Sequence, residues 1–224
     1  MPSDSSPAAP SPAALSPAAL SSSGPGQGAA ARQDSALGQL GTLAVKGRAP
    51  KTGYSREQFG PAWTDDSTAP DGHNGCDTRN DILRRDLVDL TLKPGTHGCV
   101  VLTGTLKDPY RDATIAFVRG VSTSSAVQID HVVALGDAWQ TGARYWDAAT
   151  RRAFANDPRN LLAVDQHSNA QKQDADAASW LPQNKAYRCA YVARQVAVKA
   201  RYGLWVTPPE HDAIARILGG CPGQ

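Results

Sequence analysis

Val127-Gln128-Ile129-Asp130-His131-Val132-Val133-Ala134-Leu135 sets a carboxylate beside an imidazole inside an otherwise apolar run. A short apolar run of this length reads as a buried strand, and an acid or base inside it is costly unless paired, hydrogen-bonded or metal-bound. Asp130-His131 is therefore the candidate centre of the molecule. Downstream, Asn160-Leu161-Leu162-Ala163-Val164 predicts a second short strand, and the chain from Ser168 toward Trp180 predicts a helix. If the two strands pair antiparallel and the helix packs across them, Asp130 and Asn169 converge beside His131. Two oxygen donors suit a hard divalent cation, Mg2+ or Mn2+, and no cysteine lies near enough to make a soft thiolate site.

Outward from this centre, residues 133–142 have helical spacing with Trp139 on the apolar face, and residues 148–155 predict another helix ending at Asn156-Asp157-Pro158. Upstream, Asp77 is placed to cap a helix carrying Ile82, Leu83 and Leu87. Residues 98–106 and 114–119 alternate as two paired strands around Lys107-Asp108-Pro109-Tyr110. Ser55 and Gln58 suggest a capping box on a short helix, with Trp63 following as a core anchor. Near the end, residues 187–202 predict a basic helix, and Thr207-Pro208-Pro209-Glu210 opens a last one through a capping box with proline in its first turn. The fold class expected is α+β, with a small antiparallel sheet among several helices.

Of the 224 residues, the first 42 are dominated by proline, alanine, serine and glycine and repeat Ser6-Pro7-Ala8-Ala9-Pro10 as Ser11-Pro12-Ala13-Ala14-Leu15 and Ser16-Pro17-Ala18-Ala19-Leu20. Such a segment has too little apolar surface to order itself, so residues 1–42 are expected to be a disordered tether and residues 43–224 a single domain. The net charge of +2 is too mild to establish a polyanionic partner by itself. No stretch approaches the roughly 18–20 apolar residues of a membrane span, and the N-terminus lacks the charged-then-apolar order of an export signal. Cys76, Cys99, Cys189 and Cys221 include no C-x-x-C, so two disulfides are the natural reading. Cys76–Cys99 with Cys189–Cys221 closes modest loops, although three connectivities are open to four cysteines. Disulfides imply an extracellular or surface-tethered protein.

The order Asp130-His131, Asn160-Leu161, Asn169 and Lys172 resembles the ββα-metal motif of HNH, or His-Me finger, nucleases. More closely, the run from Cys76-Asp77-Thr78-Arg79-Asn80 through Gln128-Ile129-Asp130-His131-Val132-Val133-Ala134-Leu135 to the C-terminal cysteine is similar to secreted actinobacterial HNH endonuclease family proteins. These share a domain with the C-terminal part of GmrSD-type modification-dependent restriction enzymes. The resemblance spans about residues 54–221. It implies a ββα-metal core and a metal-dependent endonuclease acting on DNA, with RNA left open and little sequence preference. His131 would be the general base, Asp130 and Asn169 would hold one Mg2+ or Mn2+, Asn160 would orient the His131 ring, and Lys172 would stabilise the phosphate. One departure is plain: 29 positions separate His131 from Asn160, so a helical insertion must lie between the two strands. Such an insertion is tolerated energetically.

Residues 183–205 hold Lys185, Arg188, Arg194, Lys199 and Arg201 with no acid, which suits a nucleic-acid surface in which Arg188 and Arg194 bind substrate. It equally suits an ordinary solvated helix face. Arg79 is a candidate phosphate ligand, with a core-bracing ion pair as the other reading. His167 reads as an exposed loop residue, Asp165, Asp174 and Asp176 as solvated or capping carboxylates, and the five tryptophans as core. A monomer is expected. Two rivals stand beside the nuclease: a non-catalytic extracellular binding module on the same disulfide-braced scaffold, and a cytosolic nuclease domain serving a larger restriction complex.

Overall fold

The structure, a computed structural model, describes residues 35–221. The Ser-Pro-Ala-Ala repeats therefore lie outside the described residues. Helix α1 (Ala36–Leu40) is capped by the Ser35 hydroxyl, and its Leu40 is buried in the core formed with the two C-terminal helices. The expected boundary at residue 42 thus falls inside a packed segment, because Leu40, with Ala36 and Leu43, docks the short helix on that core.

Helix α2 (Thr78–Asp86) begins where the Asp77 carboxylate accepts the Asn80 N–H, as its sequence predicts. Leu87 leaves the helix and opens β1 (Leu87–Leu92), a strand the sequence does not announce. With β2 (Val101–Asp108) and β3 (Ala113–Val118) it forms an antiparallel meander in the order β1-β2-β3. Leu87, Val101, Leu106 and Phe117 from the meander join Ile82 and Leu83 of α2 in one buried cluster. Val127, Ile129, Leu161 and Ala163 complete that cluster, so the meander and α2 back the segment that carries the candidate site.

That segment is the antiparallel pair β4 (Val127–His131) and β5 (Leu161–Asp165), registered so that Asp130 faces Leu162 and His131 faces Leu161. The connection between them holds α3 (Leu135–Gln140) and α4 (Ala148–Ala155), which enclose their own core around Phe59, Trp139 and Phe154. The inserted segment therefore packs its apolar side chains against Phe59, Val198 and Leu204 from outside it. Helix α5 (Gln166–Lys172) follows β5 directly, capped by Asp165 through the Ser168 N–H. It stops short of the expected Trp180 because Gln173 turns to φ 48° and closes its N–H onto the Asn169 carbonyl. The Asp174 carboxylate then lies so close to Gly136, at the start of α3, that a Cβ there would fall 2.3 Å from its Oδ2 and would have to displace it.

Helix α6 (Arg188–Tyr202) ends at the left-handed Gly203, and α7 (Pro208–Leu218) carries the expected capping box between Thr207 and Glu210. Tyr191, Val192, Val196, Ile214 and Leu218 from these helices pack on Val132, Leu162 and Val164, covering the other side of the β4–β5 pair. The turn Arg56–Phe59 is a 3-10 helix in which Ser55 makes no capping bond, unlike the box its sequence suggests. Cys76 pairs with Cys99 and Cys189 with Cys221. No described helix is long and apolar enough to cross a membrane.

Candidate active site

Neighbouring strand residues point to opposite faces, and Asp130-His131 does so at the end of β4. His131 turns toward the inserted segment. Its ring stacks on Trp63 with centroids 5.8 Å apart and 15° between planes, and its Nε2 lies 2.9 Å from the Ala155 carbonyl at the end of α4. A carbonyl only accepts, so Nε2 carries the hydrogen and Nδ1 is left with its lone pair. Burial pushes the imidazole down to about 3, against the Ala155 carbonyl, which pulls it up, and with the cations of Arg56 and Lys172 adding to the fall. The ring is therefore neutral across the physiological range.

Asn160 does not touch this ring. Its Oδ1 accepts the Val133 N–H at 2.8 Å, its Nδ2 donates to the Val133 carbonyl at 3.2 Å, and its own carbonyl accepts the Val132 N–H at 2.7 Å. Asn160 thus pins the backbone leaving His131, while Ala155 and Trp63 set the imidazole. These are hydrogen bonds across the loop, the structural place expected of Asn160, and any hold it has on the ring passes through the backbone.

Asp130 faces the other way. Its Oδ2 accepts the Tyr110 hydroxyl at 2.6 Å and its Oδ1 the Lys172 ammonium at 2.9 Å, and Lys172 also donates to the His131 carbonyl at 2.8 Å. Lys172 is fully buried, so it has no open path to a phosphate and acts instead by holding Asp130. Asn169 donates its amide nitrogen to Gln128 Oε1 at 2.7 Å, and its Oδ1 accepts no hydrogen bond among the described residues. Asp130, His131 and Asn169 all border one cavity of about 380 Å³, as do Gln128 and Asp174. The donors fit a hard cation: an unengaged amide oxygen, and a carboxylate whose two oxygens each keep a second acceptor site. Asp130 and Asn169 are the residues that would hold it.

Sequence reasoning missed several members of this site. Trp63, read as core, is half-buried and forms a wall beside His131. Arg56 borders the same cavity, is exposed, and makes no hydrogen bond or ion pair among the described residues. Asp174, read as solvated, lines the cavity and pairs with Lys51 at 2.6 Å. Tyr110, read as turn chemistry, is fully buried with its hydroxyl on Asp130. His167 is exposed as expected, though on α5 instead of a loop.

The expected substrate arginines are tied to backbone. Arg79 reaches the Ser124 and Val127 carbonyls, with burial and the nearby Arg119 lowering its affinity for its proton. Arg188 holds the Pro182 carbonyl, and Arg194 holds those of Pro158, Arg159 and Leu161. Arg79 still borders the His131 cavity; Arg194 instead joins Arg85, Arg159 and Arg201 around a separate cavity of about 480 Å³.

Lys199 is no part of a basic face. It is fully buried, 3.0 Å from Asp137 and 2.6 Å from Glu210, while Arg48 lies 2.7 Å from Asp176 and 3.7 Å from Asp137. Asp137, Asp176 and Glu210 bring ligand oxygens within 4.8 Å of one another. Two protein cations already serve these three carboxylates, leaving one excess acid. Burial pushes Glu210 up to about 7 against the pull of Lys199, with Asp137 and Asp176 adding to the rise. A carboxyl raised on folding binds its proton more tightly in the folded state. Its contribution is therefore fully present below the unfolded value of 4.5 and is lost as pH rises through about 7. We expect wild-type stability to fall by on the order of 2–3 kcal/mol from this group between pH 5 and 8, and Glu210→Gln to remove that part of the slope in denaturant titrations. Parallel slopes for the two proteins would refute the assignment.

Residues 77–217 match the family model described as "GmrSD restriction endonucleases, C-terminal domain". A protein from Arthroderma benhamiae named "Uncharacterized secreted protein" is 36% identical over 184 residues, covering 81% of this chain and 82% of that protein. No solved structure matches the chain.

Proposed function

The chain belongs to the GmrSD restriction endonuclease C-terminal domain family, and from that premise we propose that it is an extracellular, metal-dependent endonuclease of the HNH, or ββα-metal, type. It hydrolyses phosphodiester bonds in DNA, with RNA as a second substrate class, and with little sequence preference. The observation that carries this reading is the His131 imidazole, its Nε2 committed to the Ala155 carbonyl, bordering one cavity with Asp130 and Asn169.

In this reading His131 Nδ1 takes the proton of a water that attacks the phosphorus. The bond from phosphorus to the 3′ oxygen breaks, and that oxygen leaves with a proton from solvent. Asp130 and Asn169 would hold a Mg2+ or Mn2+, which would supply positive charge to the scissile phosphate and the departing oxygen. Tyr110 and Lys172 fix the Asp130 carboxylate from behind. Arg56, which borders the cavity and makes no hydrogen bond or ion pair among the described residues, is placed to meet a phosphate, since a guanidinium matches its geometry. Two disulfides, and a relative whose name says secreted, support the extracellular setting. The protein acts as a monomer.

The test is nicking of supercoiled plasmid by the purified chain in Mg2+ or Mn2+. Conversion to open-circular and linear forms is expected, with a full stop on addition of EDTA. Cleavage that survives EDTA would remove the metal from the reading, and an intact plasmid in both metals would remove the nuclease. A second reading has one observation in its favour: both Asp130 oxygens already have protein partners. A non-catalytic extracellular binding module would keep such a lock permanently and leave the plasmid intact.

A further inference from the structure

Beside the cavity of Asp130 and Asn169 lies a second one of about 540 Å³, and Arg56, Trp63, His131 and Leu135 border both. His131 therefore stands between two lobes of one cleft. The first lobe holds the polar donors. The second is lined mainly by Phe59, Pro61, Ala62, Trp63, Leu135 and Ala155, with Arg56, Glu57 and Asn156 also on its border. Leu135 and Ala155 belong to the insertion between the strands, so the segment that interrupts the β4–β5 pair builds part of this wall.

The wall is fixed. Arg151 Nε of α4 donates to the Gln58 carbonyl at 2.7 Å, Gly60 N–H closes onto the Glu57 carbonyl at 3.0 Å, and Arg152 pairs with Asp66 at 2.9 Å. A preformed apolar lobe of this volume, opening on a reactive group, suits a flat apolar ligand part whose charged end remains outside. Arg56 at the shared border supplies the cation for that charged end. A nucleotide has this division, with an aromatic base on one side and a phosphate on the other.

We propose, on the nuclease reading above, that this lobe seats one unstacked nucleobase next to the scissile phosphate, and that single-stranded nucleic acid is the preferred substrate class. A base in a single strand enters at little cost, whereas a base in a duplex must first leave its stack and its partner. Contact between a base and aromatic walls is tolerant of base identity, which agrees with cleavage of little sequence preference.

The experiment compares one fluorophore-labelled oligodeoxynucleotide as a single strand and as a blunt duplex, in Mn2+. Wild type should cleave the single strand with a kcat/KM at least ten-fold higher. Ala62→Trp, which fills the lobe from an exposed position, should lose at least ten-fold on the single strand with its Tm and its calorimetric Mn2+ affinity unchanged. A measurement on wild type alone guards against misfolding of that variant: thymidine monophosphate should bind at least ten-fold more tightly than inorganic phosphate. Equal cleavage of both substrates, a silent Ala62→Trp, or equal binding of the two phosphates would overturn the base subsite and leave the nuclease standing. No cleavage of either substrate would instead overturn the nuclease, and the subsite with it.

Discussion

His131→Ala is expected to cut less plasmid than wild type by roughly 10²- to 10⁴-fold, the range that loss of a positioned general base produces. Mn2+ binding should persist, because Asp130 is held by Tyr110 and Lys172 and Asn169 by Gln128, none of which depends on the imidazole. The two measurements together separate chemistry from folding. Truncating a buried ring that stacks on Trp63 leaves a cavity, so His131→Gln, which keeps more of the volume, serves as the companion variant. Both variants should be nearly inactive while titrating Mn2+ calorimetrically as wild type does. Cleavage at the wild-type rate by either would leave His131 with only a packing role.

The largest effect on stability is expected from Lys199→Met. The ammonium lies fully buried against Asp137 and Glu210, and its removal leaves two carboxylates facing one another in the interior. Breaking a buried ion pair from one side typically costs about 3–5 kcal/mol. For a domain of this size that corresponds to a drop in Tm of roughly 10 °C. Adding Glu210→Gln should recover part of the loss, since the excess negative charge is then gone. Nucleic-acid affinity, measured on the folded fraction, should stay at the wild-type value. If instead Lys199→Met leaves Tm within a degree and weakens nucleic-acid binding, this lysine belongs to the basic face after all.

Helix α6 explains why such an error arises from sequence. Lys185, Arg188, Arg194, Lys199 and Arg201 look alike when counted as charges. Within the helix, however, Lys199 continues the buried stripe of Val192, Gln195 and Val196 at three- and four-residue steps, whereas Arg201 falls outside it and is exposed. That signal was present in the spacing. Lys172 carries the same signal, four residues after the buried Ser168 on α5. For Tyr110, Trp63 and the Ala155 carbonyl no local signal exists. Tyr110 reaches Asp130 across 20 residues, the His131 ring reaches Ala155 across 24, and Trp63 comes from a loop before the first sheet.

Local chemistry determined a good deal. Short stretches rich in Val, Ile, Leu and Ala made β4 and β5, and capping residues at Asp77, Asp165 and Thr207 started their helices. Strand-forming runs and caps depend on neighbours a few residues away, so they are written in short stretches of chain. The tertiary structure alone decided which oxygen holds the imidazole, which cation neutralises Asp130, and which arginines remain free. Those choices are made by burial, which removes water as a partner and forces each polar group to find another, wherever in the chain it lies.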